Sequence, residues 1–212
     1  MSRIRGAKCK VCRREGEKLF LKGERCFSDK CAFERRSYPP GEHGHGAQYR
    51  RSRESNFSRQ LRAKQKVRRI YDVSERQFRR YYEIALQRRG LTGSNLLQIL
   101  ESRLDNVVYR LGYAASRSQA RMLVTHGHFN VNSRRTDIPS MIVSPGDEIV
   151  VRDRSKGRPF FKTLLKEAET RNAAEWLSQD LNNLAGKVVR LPERTEIGGN
   201  LDEQLVVEYY SR

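Results

Sequence analysis

The chain has 212 residues, with 43 Lys or Arg against 25 Asp or Glu and a formal charge of +18. Such an excess repels itself and calls for a polyanionic partner, nucleic acid or an anionic membrane surface. No apolar run approaches the roughly 18 residues a membrane helix needs, and the first thirty residues lack the apolar stretch of a secretory signal. Residues 1–71 carry a net +14 and residues 72–212 a net +4, so one third of the chain reads as a cationic binding segment.

In chain order, residues 1–56 are expected to be irregular, because Pro and Gly crowd the run Tyr38-Pro39-Pro40-Gly41-Glu42-His43-Gly44-His45-Gly46. Arg50, Arg51 and Arg53 follow. Residues 57–70 predict a short helix loaded with Arg59, Arg62, Lys64, Lys66, Arg68 and Arg69. Ser74 with Gln77 three residues on is a capping box. The helix it opens places Phe78, Tyr81, Tyr82, Ala85 and Leu86 on one face, and Gly90 lies just past its end. Ser94 is expected to cap a single helix with the stripe Leu97, Leu100, Leu104, Val107, Val108 and Leu111, stopped by Gly112. Ser116 with Gln119 forms a second capping box. Ala120, Leu123 and Val124 give that helix its buried face, and Gly127 ends it.

The period then changes to two. Phe129 and Val131 alternate with polar residues before the turn Asn132-Ser133. Ile142-Val143, the turn Ser144-Pro145-Gly146-Asp147 and Ile149-Val150-Val151 predict strand, turn and strand. Further helices are expected over about 160–171 and 173–184, with short late strands at 188–191 and 205–209.

All four cysteines precede residue 32: Cys9-x2-Cys12, then thirteen residues, then Cys26-x4-Cys31. They are too few and too local to staple a chain of this length, and they suit a reducing compartment where thiols bind metal. Two such knuckles make the four-sulfur site of one structural zinc ion, which would also supply folding energy to a segment too polar to fold by burial. Spacing alone also admits an iron–sulfur cluster or four thiols without metal. His43 and His45 are substitute ligands of lower merit. Gly41-x-x-Gly44-x-Gly46 lacks the Lys-Ser/Thr ending of a phosphate-binding loop and no strand precedes it. None of the four histidines has the context of a nucleophilic site. Arg103-Leu104-Asp105 matches the triplet that carries the catalytic aspartate of a pseudouridine-synthase group, but too few residues follow for that catalytic domain. No enzyme and no small-molecule substrate are expected.

The helix from Ser116 presents Arg117 and Arg121 one turn apart beside its capped N-terminus, where backbone N–H groups and the dipole attract phosphate. Their forked donors suit neighbouring phosphates. His126, His128 and Phe129 follow, then Arg134 and Arg135 at a hairpin tip. This makes Ser116, Arg117, Gln119, Arg121, His126, Arg134 and Arg135 candidate RNA-binding residues, together with Arg50, Arg51, Arg53 and the cations of residues 57–70.

Several motifs together resemble the S-four family of bacterial small-subunit ribosomal proteins nearly end to end. They are Arg13-Arg14-Glu15-Gly16, Pro40-Gly41-Glu42-His43-Gly44, Gln65-Lys66-Val67-Arg68-Arg69-Ile70-Tyr71, Glu75-Arg76-Gln77-Phe78-Arg79, the stretch from Arg103 to Gly112, Ser116-Arg117-Ser118-Gln119-Ala120-Arg121 and the tail Val206-Val207-Glu208-Tyr209-Tyr210-Ser211. The four cysteines resemble its zinc-bearing members, and the loop after Gly44 is longer and richer in Arg than in some members. The resemblance implies an α+β chain: an all-helical domain with an N-terminal zinc-binding extension, and an inserted mixed helix and antiparallel-sheet RNA-binding domain. The expected boundaries are 1–45 for the extension, 46–95 for the helical domain completed by 196–212, and 96–195 for the second domain, with its RNA-binding module at about 101–165. It also implies direct binding to small-subunit ribosomal RNA early in assembly and a place in the cytoplasmic ribosome near the messenger entry channel. There Arg50, Arg51 and Arg53 would line the messenger path, neighbouring small-subunit proteins would be partners, and decoding accuracy would be influenced. A stand-alone RNA-binding regulator or RNA-modification factor on the same module is the alternative. It leaves the cationic first third unexplained. A DNA-binding zinc protein would want a recognition helix after the metal knuckle, where this chain has a Pro-Gly loop.

Overall fold

Four helices begin with the same chemistry. Ser55, Ser74, Ser116 and Asp202 each turn a side-chain oxygen onto the backbone N–H three residues ahead, at 3.1–3.4 Å, and so satisfy one of the amides a helix start leaves without a partner. The computed structural model describes residues 6–47, 54–168 and 173–212. It divides into two units, Met1–Asn95 with Gly199–Arg212, and Leu96–Gly198. Among the described residues no helix is long and apolar enough to cross a membrane.

The first unit contains α1 (Lys8–Glu15), a 3-10 turn at Gly23–Cys26, the short α2 (Ala32–Arg35) and α3 (Gly44–Ala47), the longer α4 (Asn56–Ile70) and α5 (Glu75–Gln87), and at the far end of the chain α11 (Glu203–Tyr210). The extension is thus less irregular than its composition predicts. α1 closes on Gly16, whose φ of 74° only glycine adopts without strain. Within the Gly-rich run, Gly44 is the closely packed member: a Cβ there would stand 1.8 Å from the Pro39 carbonyl oxygen, whereas Gly41 and Gly46 have open space. Arg13 of α1 holds the same turn, donating to the Tyr38 and Pro39 carbonyls at 2.8 and 3.2 Å.

On α5, Phe78, Tyr81, Tyr82 and Ala85 are buried at the expected spacing, whereas Leu86 is exposed. The tail, expected as a strand from its paired valines, is the helix α11. Asp202 caps it, and a helix brings Val206, Tyr209 and Tyr210 onto one side, where the Tyr210 ring stacks on Tyr82 and Phe78 and Tyr209 meets Phe57. Tertiary packing overrides the modest strand preference of two valines.

The second unit takes in most of α6 (Thr92–Glu101), then α7 (Leu104–Arg110), α8 (Arg117–Thr125), β1 (Phe129–Val131), β2 (Arg134–Thr136), β3 (Glu148–Val151), α9 (Asp153–Lys156), α10 (Pro159–Ala168), β4 (Leu177–Asp180) and β5 (Ala185–Val188). The strands form one antiparallel sheet in the order β2-β1-β3-β5-β4, with Phe129 opposite both Thr136 and Val151, and Leu177 opposite Val188. Asn132 and Ser133 join β1 to β2 with φ of 48° and 66°, the left-handed pair that matches hairpin twist. The sheet covers α7 and α8 with one apolar cluster that runs from Leu104, Val107, Val108 and Leu111 through Phe129 and Ile149 to Phe161 and Trp176. A Cβ on Gly186 would lie 2.5 Å from Leu111, so only glycine lets β5 approach α7 so closely.

Four expectations fail here: Ile142 makes an isolated bridge to Arg103 and Val143 is in no strand, the late strand runs over Ala185–Val188 in place of 188–191, and two helices change. Residues 173–184 contain the strand β4 in place of a helix, because Leu177–Asp180 pairs with β5. The single helix expected from Ser94 to Leu111 is broken between α6 and α7. Arg103 is extended and bridges Ile142, and the first amides of α7 donate outward, Leu104 to Met141 O at 2.8 Å and Asp105 to Pro139 O at 3.1 Å. The apolar stripe continues across the break, which is why periodicity alone shows one helix.

Candidate nucleic-acid interface

The six cations of α4 are not a free basic face. Lys64 is 3% exposed and is a correction: its ammonium pairs with Glu75 at 2.9 Å and sits over the Tyr209 ring, so it has no surface to offer RNA. Arg69 and Arg62 both face the buried Glu15 carboxylate of α1, Lys66 pairs with Glu17 at 2.6 Å, and Arg68 faces Glu75 at 3.6 Å. Of the six, Arg59 alone is exposed. Burial works against ionising Glu75. Hydrogen bonds from Lys64 and Tyr210 and the charges of Lys64 and Arg68 nevertheless hold its carboxyl below the usual range. Arg50, Arg51 and Arg53 lie outside the described residues.

The second unit gathers its cations differently. Ser116 caps α8 as expected, but the Gln119 side chain accepts from the Ala115 N–H at 2.7 Å instead of closing onto Ser116. Arg117 and Arg121 then point back to α7. Arg117 Nε donates to Asn106 Oδ1 at 2.7 Å, its guanidinium covers the Tyr109 ring at 4.7 Å, and it lies 3.7 Å from Glu101. Arg121 lies 3.8 Å from Asp105. Each carboxylate also takes a two-pronged arginine, Glu101 from Arg110 at 2.9 and 2.7 Å and Asp105 from Arg103 at 3.0 and 2.5 Å. Four guanidiniums thus surround two buried carboxylates, a local surplus of positive charge next to a helix N-terminus.

The hairpin supplies the other end. Arg134 and Arg135 are exposed and line an open groove with Asn132, Ile138 and Met141. Gly127 stands at a φ of 69°, which strains an L side chain, and the Arg135 guanidinium packs against it. Arg152 donates to the Gly127 carbonyl at 3.0 Å, so two cations collect at the negative end of α8. His126 is exposed. His128 is buried, with its Nδ1 2.9 Å from Ser155 Oγ. Burial, then the charges of Arg158, His126 and Arg152, push the His128 pKa down, so it is a neutral core group. Sequence reasoning missed Glu101, Asn106, Arg110 and Arg152. The only available signal was an acid and an amide embedded in the apolar stripe of α6 and α7.

The cysteines form a separate cluster. None is in a disulfide, three are buried, and all four line one cavity with room of about 10 Å³, space for a single atom-sized occupant. The Lys22 N–H donates to Cys26 Sγ at 3.4 Å. This donor set fits a four-sulfur metal site, although among the described residues no three His, Cys, Asp or Glu side chains are already drawn together as a metal cluster.

Residues 3–101 match the family model described as "Ribosomal protein S4/S9 N-terminal domain", and residues 102–149 match the "S4 domain" model. The border between them falls at the break between α6 and α7. Over the full length of both chains, the protein is 53% identical to "Small ribosomal subunit protein uS4" of Natranaerobius thermophilus and 54% identical to that of Thermus thermophilus. It is 56% identical, again end to end, to "Small ribosomal subunit protein uS4A" of Clostridium botulinum. With its mixed helical and antiparallel fold and its arginine-rich α8 and hairpin, the chain belongs to the bacterial ribosomal protein uS4 family, whose members are structural and non-enzymatic.

Proposed function

We propose that the protein is a structural RNA-binding constituent of the small subunit of the cytoplasmic ribosome, holding small-subunit ribosomal RNA through the face built from α8, the end of α7 and the β1–β2 hairpin. The observation that carries this reading is the surplus of guanidinium groups at the capped start of α8, continued by Arg134 and Arg135. A-form RNA hides its base edges in a narrow major groove, so recognition rests on phosphates and on the shape of a folded junction. Early assembly, contacts to neighbouring small-subunit proteins and a place near the messenger entry channel belong to the same reading, with Arg50, Arg51 and Arg53 as the candidates for the messenger path. The remaining α4 cations, Arg59 apart, serve mainly to hold the first unit together. Leu96–Gly198 acts as an inserted RNA-binding domain, and the C-terminal residues complete the first domain.

The extension is of the zinc-bearing type in this reading. Cys9, Cys12, Cys26 and Cys31 would hold one ion, whose chemistry is to neutralise thiolates and cross-link a segment with little apolar core. Elemental analysis of protein prepared under reducing, chelator-free conditions should find one zinc per chain. A metal-free or iron-containing preparation would overturn it.

RNA binding is tested by salt titration against small-subunit ribosomal RNA. Release of counterions from several phosphates predicts a log–log slope of about −5 or steeper, together with a preference for the folded junction over a plain duplex. A slope near zero, or equal affinity for any duplex, contradicts the proposal.

A further inference from the structure

Two acids sit inside the face that should meet a polyanion. Glu101 is fully buried and the Asp105 side chain is 5% exposed. A carboxylate in that position repels phosphate and must be desolvated, so it weakens binding unless it does something else. The hydrogen bonds show what that is. Glu101 accepts from Asn106 Nδ2 at 2.6 Å, and the Glu101 backbone carbonyl accepts from the same nitrogen at 2.9 Å. Two acceptors on one side fix the Asn106 amide with its NH₂ towards Glu101 and its oxygen outward. That oxygen receives Arg117 Nε at 2.7 Å. The orientation of Arg117 is therefore dictated by Glu101 through Asn106, with the Tyr109 ring beneath the guanidinium.

Asp105 plays the parallel part for Arg121. Its own charge is met by the two prongs of Arg103, which is 2% exposed, and the Arg121 guanidinium at 3.8 Å is the outer member of the group. Arg117 and Arg121 keep only 16% and 13% of their side chains exposed. Long cationic side chains that would otherwise sample many rotamers are thus ordered before RNA arrives, and the entropy loss of ordering them does not fall on the binding step.

We propose that Glu101 and Asp105 are positioning residues for RNA binding: buried carboxylates that hold Arg117 and Arg121 in the geometry that backbone phosphates require. This rests on the reading that α8 faces ribosomal RNA. Long-range electrostatics and positioning predict opposite signs. Glu101→Gln adds one unit of positive charge, which by Coulomb attraction alone tightens binding, whereas loss of the Asn106–Arg117 geometry weakens it.

The experiment measures the affinity of the full chain for small-subunit ribosomal RNA in four forms: wild type, Glu101→Gln, Arg117→Ala/Arg121→Ala, and all three substitutions together. The expected result is that Glu101→Gln weakens binding about ten-fold, and that the same substitution changes affinity less than about two-fold once the two arginines are gone. If Glu101→Gln binds as well as wild type or better while Arg117→Ala/Arg121→Ala is weakened, positioning is wrong and the α8 face stands. If Arg117→Ala/Arg121→Ala binds at full strength, the RNA-facing reading of α8 falls, and this inference with it. Nuclear magnetic resonance of the RNA-free wild type needs no variant to fold. The Arg117 Nε–H should give a resolved, slowly exchanging signal, and an averaged, rapidly exchanging one overturns the proposal.

Discussion

In Leu96–Gly198, apolar residues from α7, α8, every strand but β2, and α10 close into one cluster, and the ion pairs stand beside it on α6, α7 and α8. In the other unit, α1 buries one apolar residue, Cys12, and is fastened by charge: Lys8 with Asp72, Glu15 with Arg62 and Arg69, and just past its end Glu17 with Lys66. The more basic stretch of sequence therefore uses its cations as fasteners. The less basic stretch is held by apolar burial, and its arginines gather around two carboxylates beside the capped start of α8 and continue to the exposed Arg134 and Arg135 of the hairpin. Charge counted along a sequence is a poor measure of charge available to a partner, because what matters is how many acids fold back onto it.

The contrast is broken most severely through the apolar cluster. Phe129→Ala removes a fully buried ring at the centre of the sheet and should destabilise the second unit by about 3–5 kcal/mol, measured by denaturant unfolding. Glu15→Gln should act on the first unit alone. It leaves two guanidiniums facing a neutral amide and should loosen α1 by about 1–3 kcal/mol, read as faster amide exchange over Lys8–Glu15 with exchange in β1 and β3 unchanged. Acid should produce the smallest effect and separate the units by pH window. The folded pKa of His128 lies below its ordinary value of 6.5. The unfolded chain therefore takes up the proton first, and the second unit loses stability as pH falls below about 6.5. Glu75 is depressed below 4.5. Its contribution is complete above that value and is lost as pH falls through the folded pKa, which should free the α11 tail in a lower window. Ring signals of Tyr210 in α11 and of Phe129 in β1, followed through a pH titration, distinguish the two. Glu75→Gln should erase the lower step and His128→Gln the upper one.

Much of this organisation was legible in local sequence. Ser74, Ser116 and the glycines at 112 and 127 mark element ends because caps and left-handed turns act within four residues. Asn132-Ser133 marks its hairpin for the same reason. What was illegible depends on partners distant in sequence. The break at Arg103 exists because residues 139–143 bond to it from the other side of α8, β1 and β2. The tail is helical because Tyr209 and Tyr210 meet Phe57, Phe78 and Tyr82, more than 120 residues earlier. The partners of the α4 cations followed the same rule. Arg69 and Glu15 are 54 residues apart, and no spacing rule connects them. In the candidate interface, Arg117, Arg121, Arg134 and Arg135 could be read from a capped helix and a hairpin tip. Glu101 and Asn106 could not, because a polar residue in an apolar stripe does not reveal which later arginine it will orient.

The division of labour between α4 and the α8–hairpin face is tested most directly by two variants that remove the same charge. Arg134→Ala/Arg135→Ala takes two cations from the hairpin, and Lys66→Met/Arg68→Met takes two from α4 while leaving the partners of Glu15 in place. Each is titrated with salt against small-subunit ribosomal RNA. The hairpin variant should make the log–log slope shallower by about 1–2, roughly one unit for each phosphate that is no longer neutralised, and the α4 variant should keep the wild-type slope. A shallower slope in the α4 variant with none in the hairpin variant would contradict the assignment of RNA binding to the second unit.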